Sequence, residues 1–385
     1  MRADNELTIL LTLKDRPLFT FRWMAYANSI RFPFKVLIAD GGKDETVPKV
    51  LSDKTNFPNV NYEYIRYPYD VTYAEYYSKV VDALSHVKTP FAVMADNDDF
   101  FILEGLRLAV EFLRAHPDYS ACSGHIGVFW VTPSEKYGHY SVAYGKQIES
   151  KWRCRPQSLV EETAAGRVRS QFLSYVETCY DVQRTEELRS RIETLRDLNL
   201  EDLFLAEYLL SSLTCVAGMV ERIGRLYLVR QWNSPNSSGG THQEKYGDAL
   251  GQMFAKSWSD DFRKFVNVVA AALAAKDGIS LEDARNHITQ CYRSFIAPTL
   301  IECLLQEPTV PMTMPVRVQM IQRLVKLGPN STIRKTFQKL YRRGSWISVS
   351  AVNGERLLTY PLSTYREDFK PIAEFLTRKP PTFDF

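Results

Sequence analysis

The stretch FAVMADNDDFF, residues 91–101, joins an apolar run to four consecutive acidic or amide side chains. The apolar part has the length of a buried strand, and Asp96, Asn97, Asp98 and Asp99 follow it directly. Carboxylates crowded at the end of a strand repel one another, and a hard divalent cation with oxygen ligands relieves that repulsion. The stretch therefore predicts a Mg²⁺ or Mn²⁺ site. The alternative is that Asp98 and Asp99 cap the following helix and solvate a turn.

Composition places the chain among globular proteins. Its 385 residues are 45% apolar, enough for two or three domains, and a net charge of +3 does not indicate a nucleic-acid partner. The six cysteines show neither disulfide nor zinc spacing, so we expect reduced thiols. The N-terminus lacks a secretory signal pattern, and the longest strongly apolar segment, Phe265–Ala275, is about half of a membrane span.

Strand and helix patterns alternate over the first 130 residues, which predicts a parallel sheet covered by helices. Helices are expected near 17–31, 45–53, 72–87 and 103–115. The predicted strands are Leu7–Leu13, Phe34–Ala39, Val60–Ile65 and Pro90–Ala95. The polar turns after these strands would meet at the carboxyl edge of the sheet, where open α/β sheets bind ligands.

Two phosphate-binding motifs are missing from this region. No G-x-G-x-x-G follows the first strand, and Gly41-Gly42-Lys43 lacks the flanking residues of a P-loop. These absences disfavour dinucleotide oxidoreductases and P-loop NTPases.

The middle of the chain is less regular. Residues 131–195 show no steady period, and a helix is then expected over Leu198–Leu210, with a strand over Arg225–Arg230. The stretch SPNSSGGTH, residues 234–242, is rich in turn formers and predicts a loop.

The C-terminal part is predicted to be mainly helical, over Leu250–Ala275, Leu281–Leu305 and Val316–Leu327. Residues 308–354 contain eight Lys or Arg and no Asp or Glu. Within them, residues 331–343 form a basic amphipathic pattern, typical either of an interfacial helix at anionic lipid or of a helix packed on the protein. Asn353-Gly354 predicts a terminal hairpin over residues 346–360.

Several segments, in order, resemble the inverting GT-A glycosyltransferases of family two, over roughly residues 5–240. The segments are LTILLTLKDR, VLIADGGKDE, FAVMADNDDFF, LNLED and LYLVRQWNSPNSS, the third of which resembles the family's D-x-D element. The resemblance implies a Rossmann-like GT-A domain over 1–245, with helices on both faces of a mostly parallel sheet. A helical C-terminal domain would occupy 246–385.

The same resemblance implies the activity. It is the metal-dependent transfer of a sugar, with inversion, from a nucleotide diphosphate sugar to a hydroxyl of a glycan or lipid-linked glycan acceptor. The enzyme would be cytoplasmic, with the inner face of an anionic membrane as an optional docking surface. Two rival functions stay open, a sugar nucleotidyltransferase and a non-catalytic scaffold that binds nucleotide or glycan.

Site residues follow from matching positions. Asp202 is expected to be the catalytic base with Glu201 beside it, although both residue types are also favoured at a helix N-terminus. The ion is assigned to Asp96 and Asp98, with His242 as a further ligand. Donor contacts are expected from a set of polar residues: Thr12, Lys14, Arg16, Asp40, Lys79, Asp96, Asn97 and Arg230.

The sequence departs from the family pattern at two places. Ala39 replaces the first of two aspartates after the second strand, which puts recognition of uracil in doubt. The sequence Arg230-Gln231-Trp232 differs from the Q-x-x-R-W motif of processive synthases, which favours single sugar addition.

Overall fold

The computed structural model describes residues 3–305, 348–352, 355–359, 366–378 and 380. The strands are β1 (Leu7–Leu13), β2 (Lys35–Asp40), β3 (Tyr62–Arg66), β4 (Phe91–Ala95), β5 (Phe100–Phe101), β6 (Tyr119–Thr132), β7 (Gln147–Cys154), β8 (Val182–Arg184), β9 (Met219–Gln231), β10 (Ser348–Val352) and β11 (Glu355–Thr359). The helices are α1 (Pro17–Ser29), α2 (Thr46–Ser52), α3 (Tyr73–His86), α4 (Leu103–Ala115), α5 (Ala164–Leu173), α6 (Thr185–Leu198), α7 (Leu203–Ala217), α8 (Ser238–Tyr246), α9 (Ala249–Met253), α10 (Trp258–Asp277), α11 (Leu281–Leu305) and α12 (Arg366–Leu376).

The first nine strands form one sheet in the order β3-β2-β1-β4-β8-β6-β9-β5, and β7 pairs with β6 beyond the short stretch that pairs with β8. The block β3-β2-β1-β4 is parallel, as predicted, and β8 joins it antiparallel. Beyond β8, β6 and β9 run parallel to each other, while β5 and β7 are antiparallel to their partners. The carboxyl ends of β1, β2 and β4 therefore lie side by side.

Helices cover both faces of this sheet, which confirms the predicted α/β class. Along β1, Leu10 packs into one buried cluster with α3, α5, α6, α7, α10 and α11. Its neighbours Ile9 and Leu11 pack into the other cluster, with α1, α2 and α4. This alternation is the period of two that a strand imposes on its side chains.

The C-terminal helices share the core of the α/β part. Phe265, Val269 and Leu273 of α10 are fully buried in the same cluster as Leu209 of α7 and Val168 of α5. α12 packs elsewhere, placing Phe375 against the ring of Tyr26.

Two predicted elements differ from the structure. The helix expected over Leu198–Leu210 begins only at Leu203, as α7, because α6 ends at Leu198, Asn199 takes a left-handed conformation with φ 47°, and Asp202 caps α7. The loop expected over 234–242 becomes α8 from Ser238, with Ser237 as its N-cap. His242 anchors this helix by packing among the rings of three aromatic residues, Tyr73, Phe204 and Tyr246.

The other C-terminal predictions meet the limits of the described residues. β10 and β11 pair antiparallel, with Val352 opposite Glu355. The helix predicted over Val316–Leu327 and the basic helix over residues 331–343 lie outside the described residues. In the part of the chain that is described, no helix is both long and apolar enough to cross a membrane.

Candidate active site

Three carboxylates converge in the turn after β4. Asp96, Asp98 and Asp99 each offer an oxygen atom, and these atoms lie within 4.8 Å of one another. In the described part of the chain they are the one such group of potential metal ligands. Hard oxygen donors at this spacing suit Mg²⁺ or Mn²⁺. The capping alternative is wrong, because α4 has Ile102 at its N-cap and no side-chain cap.

Two arginines already hold this cluster. Arg16 Nη2 lies 2.9 Å from Asp98 Oδ2 and also contacts the hydroxyl of Ser234. Arg230 Nε donates to Asp99 Oδ2 at 2.7 Å and its Nη2 lies 4.0 Å from Asp96 Oδ2. The carboxylates therefore face positive charge from both β9 and the turn after β1.

Burial and neighbouring charges give the three carboxyl groups different pKa values. Burial, followed by the charge of Asp98, raises the pKa of Asp96. Burial also raises the pKa of Asp99 to about 7, with Arg230 opposing the shift and the other two carboxylates adding to it. Burial acts in the same direction on Asp98, but Arg16 and Ser234 outweigh it and lower the pKa. Asp98 is thus the carboxylate that the protein itself holds ionised.

A second charged layer fixes Arg230. Arg153 of β7 binds Glu177 through two hydrogen bonds of 2.9 and 2.6 Å, and Arg230 Nη1 lies 3.6 Å from the same carboxylate. Burial would raise the pKa of Glu177, but these two arginines lower it to about 2. The hydroxyl of Tyr180 completes the layer, donating to Asp96 Oδ2 at 2.5 Å and accepting from Arg230 Nη2 at 3.1 Å.

Asn97, predicted to contact the donor, instead faces the interior. Its side-chain amide donates to Thr20 Oγ1 at 3.0 Å and the residue is buried. Behind the same turn, the fully buried Arg22 donates to the backbone oxygen of Asp98 at 2.9 Å, to Gln231 Oε1 at 2.5 Å and to the backbone oxygen of Ala143 at 3.0 Å. Burial lowers the pKa of Arg22 to about 10, so it remains a cation. These contacts make the acidic turn rigid.

The end of β2 carries a separate polar group around Asp40. Asp40 is buried and accepts from Tyr64 at 2.7 Å, from Arg66 at 2.5 Å and from the backbone of Gly42 at 2.9 Å. A Cβ on Gly42 would lie 2.5 Å from the backbone nitrogen of Asp15, so the close approach of the two turns requires glycine.

The cationic side chains predicted at this edge take different positions. Lys14 is exposed, with Nζ 5.0 Å from the ring centre of Tyr69. Lys79 is buried, paired with Asp70, and donates to the backbone oxygen of Leu13 at 2.9 Å. The structure therefore uses Lys79 to join α3 to the end of β1, and not to reach a donor. Thr12 lies 3.4 Å from the hydroxyl of Tyr76.

The predicted catalytic pair is split. Asp202 is buried, its Oδ1 caps α7 by accepting from the backbone of Leu205 at 2.8 Å, and its Oδ2 lies 3.6 Å from His242 Nε2. Glu201 is exposed. Asp261 of α10 accepts from the backbone nitrogens of both residues, at 2.8 and 3.0 Å, and so fixes their turn.

His242 has no place in the acidic cluster. It faces Asp202 from α8, and its Nε2 is buried with no partner at hydrogen-bonding distance. The predicted ligation of the ion by His242 is corrected accordingly, since the grouped ligand atoms all belong to the three aspartates.

Sequence reasoning missed several charged groups in this region. Glu177 and Tyr180 lie in a stretch without a clear period, and Arg153 lies on a strand that the sequence did not reveal. Glu207 follows Asp202 on α7, where burial and the charge of Glu177 raise its pKa to about 8. An acidic residue in an otherwise apolar helix was the one signal available for Glu207.

Comparisons with known proteins give similarity at the level of structure. No family model matches the sequence, and no curated protein matches it. The first 349 residues of TarS from S. aureus, in complex with UDP-GlcNAc, match with a TM-score of 0.46 and 14% identity over 76% of this chain and 73% of that one. The mannosyltransferase PcManGT from Pyrobaculum calidifontis, in complex with GDP-Man and Mn²⁺, matches with a TM-score of 0.40 and 14% identity over 79% and 81%.

Proposed function

We propose that this protein is a metal-dependent inverting glycosyltransferase. It would move a sugar from a nucleoside diphosphate sugar to a hydroxyl of a glycan or lipid-linked glycan. The observation that carries the proposal is the carboxylate cluster at the sheet edge, where Asp96 and Asp99 have raised pKa values and two arginines lie alongside. A site of this kind suits a divalent cation bound to a diphosphate, because the carboxylates can bind the cation and the two arginines can bind the diphosphate.

Side chains of the acidic cluster and the two arginines beside it can stabilise the negative charge of the departing diphosphate. A divalent cation, when bound by Asp98 with Asp96 and Asp99, would supply charge neutralisation of the departing diphosphate. Arg16 and Arg230 add fixed positive charge beside it, and Arg guanidinium groups suit phosphate oxygens. Asp40, with Tyr64 and Arg66 around it, would contact the nucleoside at the end of β2.

The transfer itself needs a base. The acceptor oxygen forms the new bond to the anomeric carbon, the bond from that carbon to the phosphate oxygen breaks, and the diphosphate leaves with the electron pair. The acceptor proton passes to a carboxylate, and we assign this role to Asp202. Its Oδ1 is engaged by the cap of α7, so Oδ2, which lies 3.6 Å from His242 Nε2, is the oxygen that would take the proton.

The first experiment tests the cluster. Asp98→Asn should lower sugar transfer by about 10³-fold, because one ionised ligand for the cation is lost. It should also abolish the Mn²⁺-dependent rise in melting temperature with UDP or GDP. Asp197→Asn, at an exposed carboxylate, is the matched control and should change neither quantity. Full turnover by a folded Asp98→Asn variant would contradict the proposal, and release of pyrophosphate from a nucleoside triphosphate would favour a nucleotidyltransferase.

The second experiment tests the base. Asp202→Asn keeps an oxygen that can cap α7 but cannot take a proton, so transfer should fall by 10²- to 10⁴-fold while nucleotide binding is kept. Glu207→Gln on the same helix is the comparison variant and should retain most of the transfer activity. The reverse pattern, with activity lost in Glu207→Gln and kept in Asp202→Asn, would move the role of base to Glu207.

A further inference from the structure

Two indole rings lie together at the edge of the sheet that carries the acidic cluster. Trp232, directly after β9, is 56% exposed, and its ring centre lies 6.4 Å from that of the half-buried Trp130 on β6. An exposed tryptophan removes a large apolar surface from water only when something binds to it. The pair offers an apolar ring surface on which a ligand could pack.

Strand register places these rings on the same face as the charged site. Val128 is the β6 partner of Arg230, and Trp130 lies two residues further along β6. Side chains two residues apart on a strand share a face, so Trp130 lies on the face of Arg230. The ring contact brings Trp232 to the same face. Arg230 and Trp232 are two residues apart, which corresponds to about 7 Å along an extended chain. This spacing is comparable to the length of one sugar ring.

Polar groups border the two rings. Lys151 of β7 is exposed, lies opposite Val128 in the ladder, and holds its Nζ 4.8 Å from the ring centre of Trp130. Arg153, two residues further along β7, joins the layer of Glu177 and Arg230. The two rings and Lys151 therefore lie next to the charged layer that Arg153, Glu177 and Arg230 form.

The backbone under Trp232 is fixed. Its nitrogen donates to the backbone oxygen of Phe129 at 2.9 Å. The adjacent Asn233 exchanges two hydrogen bonds with the backbone of Val131, at 2.9 and 3.2 Å. A surface ring on such a rigid support is preorganised, which reduces the entropy cost of binding a ligand.

We infer that Trp130, Trp232 and Lys151 form the binding platform for the sugar acceptor, which we call the indole platform. The inference rests on the proposed function. The C–H face of a pyranose ring packs on the indole of Trp232, and the ammonium of Lys151 donates to sugar hydroxyls. An acceptor held there extends toward the acidic cluster along the face shared with Arg230. The occupant is a glycan, because the apolar area is narrow and has charged groups at its border.

The test measures glycan binding and nucleotide binding separately on the full chain. The probes are maltotetraose, cellotetraose and chitotetraose. Each is added to the protein in increasing concentration while tryptophan fluorescence is measured. At least one probe should bind to the wild type, Trp232→Ala should weaken that binding about tenfold, and Trp232→Phe should weaken it less. Phe254→Ala, at a residue that is 81% exposed, is the matched control and should bind the same probe as the wild type.

A second measurement separates the two proposals. The rise in melting temperature with UDP or GDP and Mn²⁺ should be equal in the wild type and in Trp232→Ala. If no nucleotide raises the melting temperature of the wild type, the proposed function fails, whatever the glycans do. If a nucleotide binds and none of the three glycans does, or if Trp232→Ala binds the glycan as well as the wild type, the indole platform is overturned. A change of oligomeric state in Trp232→Ala with unchanged glycan affinity would likewise overturn it, in favour of an interface between chains.

Discussion

At the scale of single residues, Arg230 determines the charge of the candidate site. It donates to Asp99, contacts the hydroxyl of Tyr180, and lies 3.6 Å from Glu177. Because Glu177 is itself held ionised by Arg153, Arg230 stays between negative groups whether or not a cation is bound. The same arginine can therefore balance the charge of the carboxylate cluster and, with an anionic diphosphate present, contribute to its binding.

The raised pKa of Asp99 leads to a prediction about pH. Without a cation, folded Asp99 keeps a proton up to about pH 7, whereas the unfolded chain releases it near 4. The folded state then binds more protons between these values, so its stability falls as pH rises through that window. Divalent cations bind the ionised carboxylate and thereby offset this fall in the stability of the folded state. The rise in melting temperature caused by Mn²⁺ should therefore be small near pH 5.5 and larger near pH 8.

The matched variant for this prediction is Asp99→Asn, which removes the titrating group and should flatten the dependence on pH. Calorimetric scans at several pH values, with and without Mn²⁺, measure both effects. An equal Mn²⁺ shift at pH 5.5 and pH 8 in the wild type would show that no carboxyl with a raised pKa takes part.

At the scale of secondary-structure elements, Arg22 joins parts of the chain that are distant in sequence. From α1 it reaches the turn after β4, the end of β9 and the backbone oxygen of Ala143. Three oxygens at hydrogen-bonding distance accept from its guanidinium group, which lowers the cost of burying the charge. The arginine thereby sets the position of the acidic turn relative to β9, which carries Arg230.

Replacement of Arg22 should therefore lower stability and disturb the site together. Arg22→Met keeps the apolar part of the side chain but leaves three buried acceptors without a donor, at a cost of about 2–4 kcal/mol in the free energy of unfolding. Denaturant unfolding measures this loss. The exposed Arg263 pairs with its helix neighbour Asp260, so Arg263→Met is the control and should cost under about 0.5 kcal/mol. Equal effects in the two variants would contradict the role of Arg22.

The elements of the first half could be predicted because their signals are local. β1 spans the predicted Leu7–Leu13, and α3 begins after Thr72, close to the predicted start, with both hydrogen bonds of a capping box between Thr72 and Glu75. Asp96 and Asp98 were found for the same reason, since they directly follow an apolar strand. The helix at 238–246 was missed, because its residues are turn formers and His242 packs on the rings of Tyr73 and Phe204, which are distant in the sequence.

At the scale of the whole molecule, the candidate site depends on groups that only folding brings together. Glu177 is 53 residues from Arg230 in sequence and Asp261 is 59 residues from Asp202, as the numbering shows. No period or motif in the sequence connects such pairs. The predicted division at residue 245 stays a prediction, and the shared core of α7 and α10 means that the two parts are coupled energetically.

Asp261 tests this coupling. Its Oδ2 accepts from the backbone nitrogens of Glu201 and Asp202, so a residue of the C-terminal helices holds the turn that carries the proposed base. Asp261→Ala leaves two N–H groups without an acceptor and should cost about 2–4 kcal/mol in the free energy of unfolding. Because the turn moves, sugar transfer should fall more than tenfold, while the nucleotide-dependent rise in melting temperature is kept.

The adjacent Asp260 supplies a matched control on the same helix. It is about half exposed and pairs with Arg263 and Lys264 at the surface, where ion pairs contribute little. Asp260→Ala should therefore leave both the stability and the transfer activity close to those of the wild type. If Asp261→Ala behaved like Asp260→Ala in both measurements, the turn at residues 201–202 would not depend on α10. If Asp261→Ala lost nucleotide binding together with transfer, the effect would extend beyond the turn to the acidic cluster.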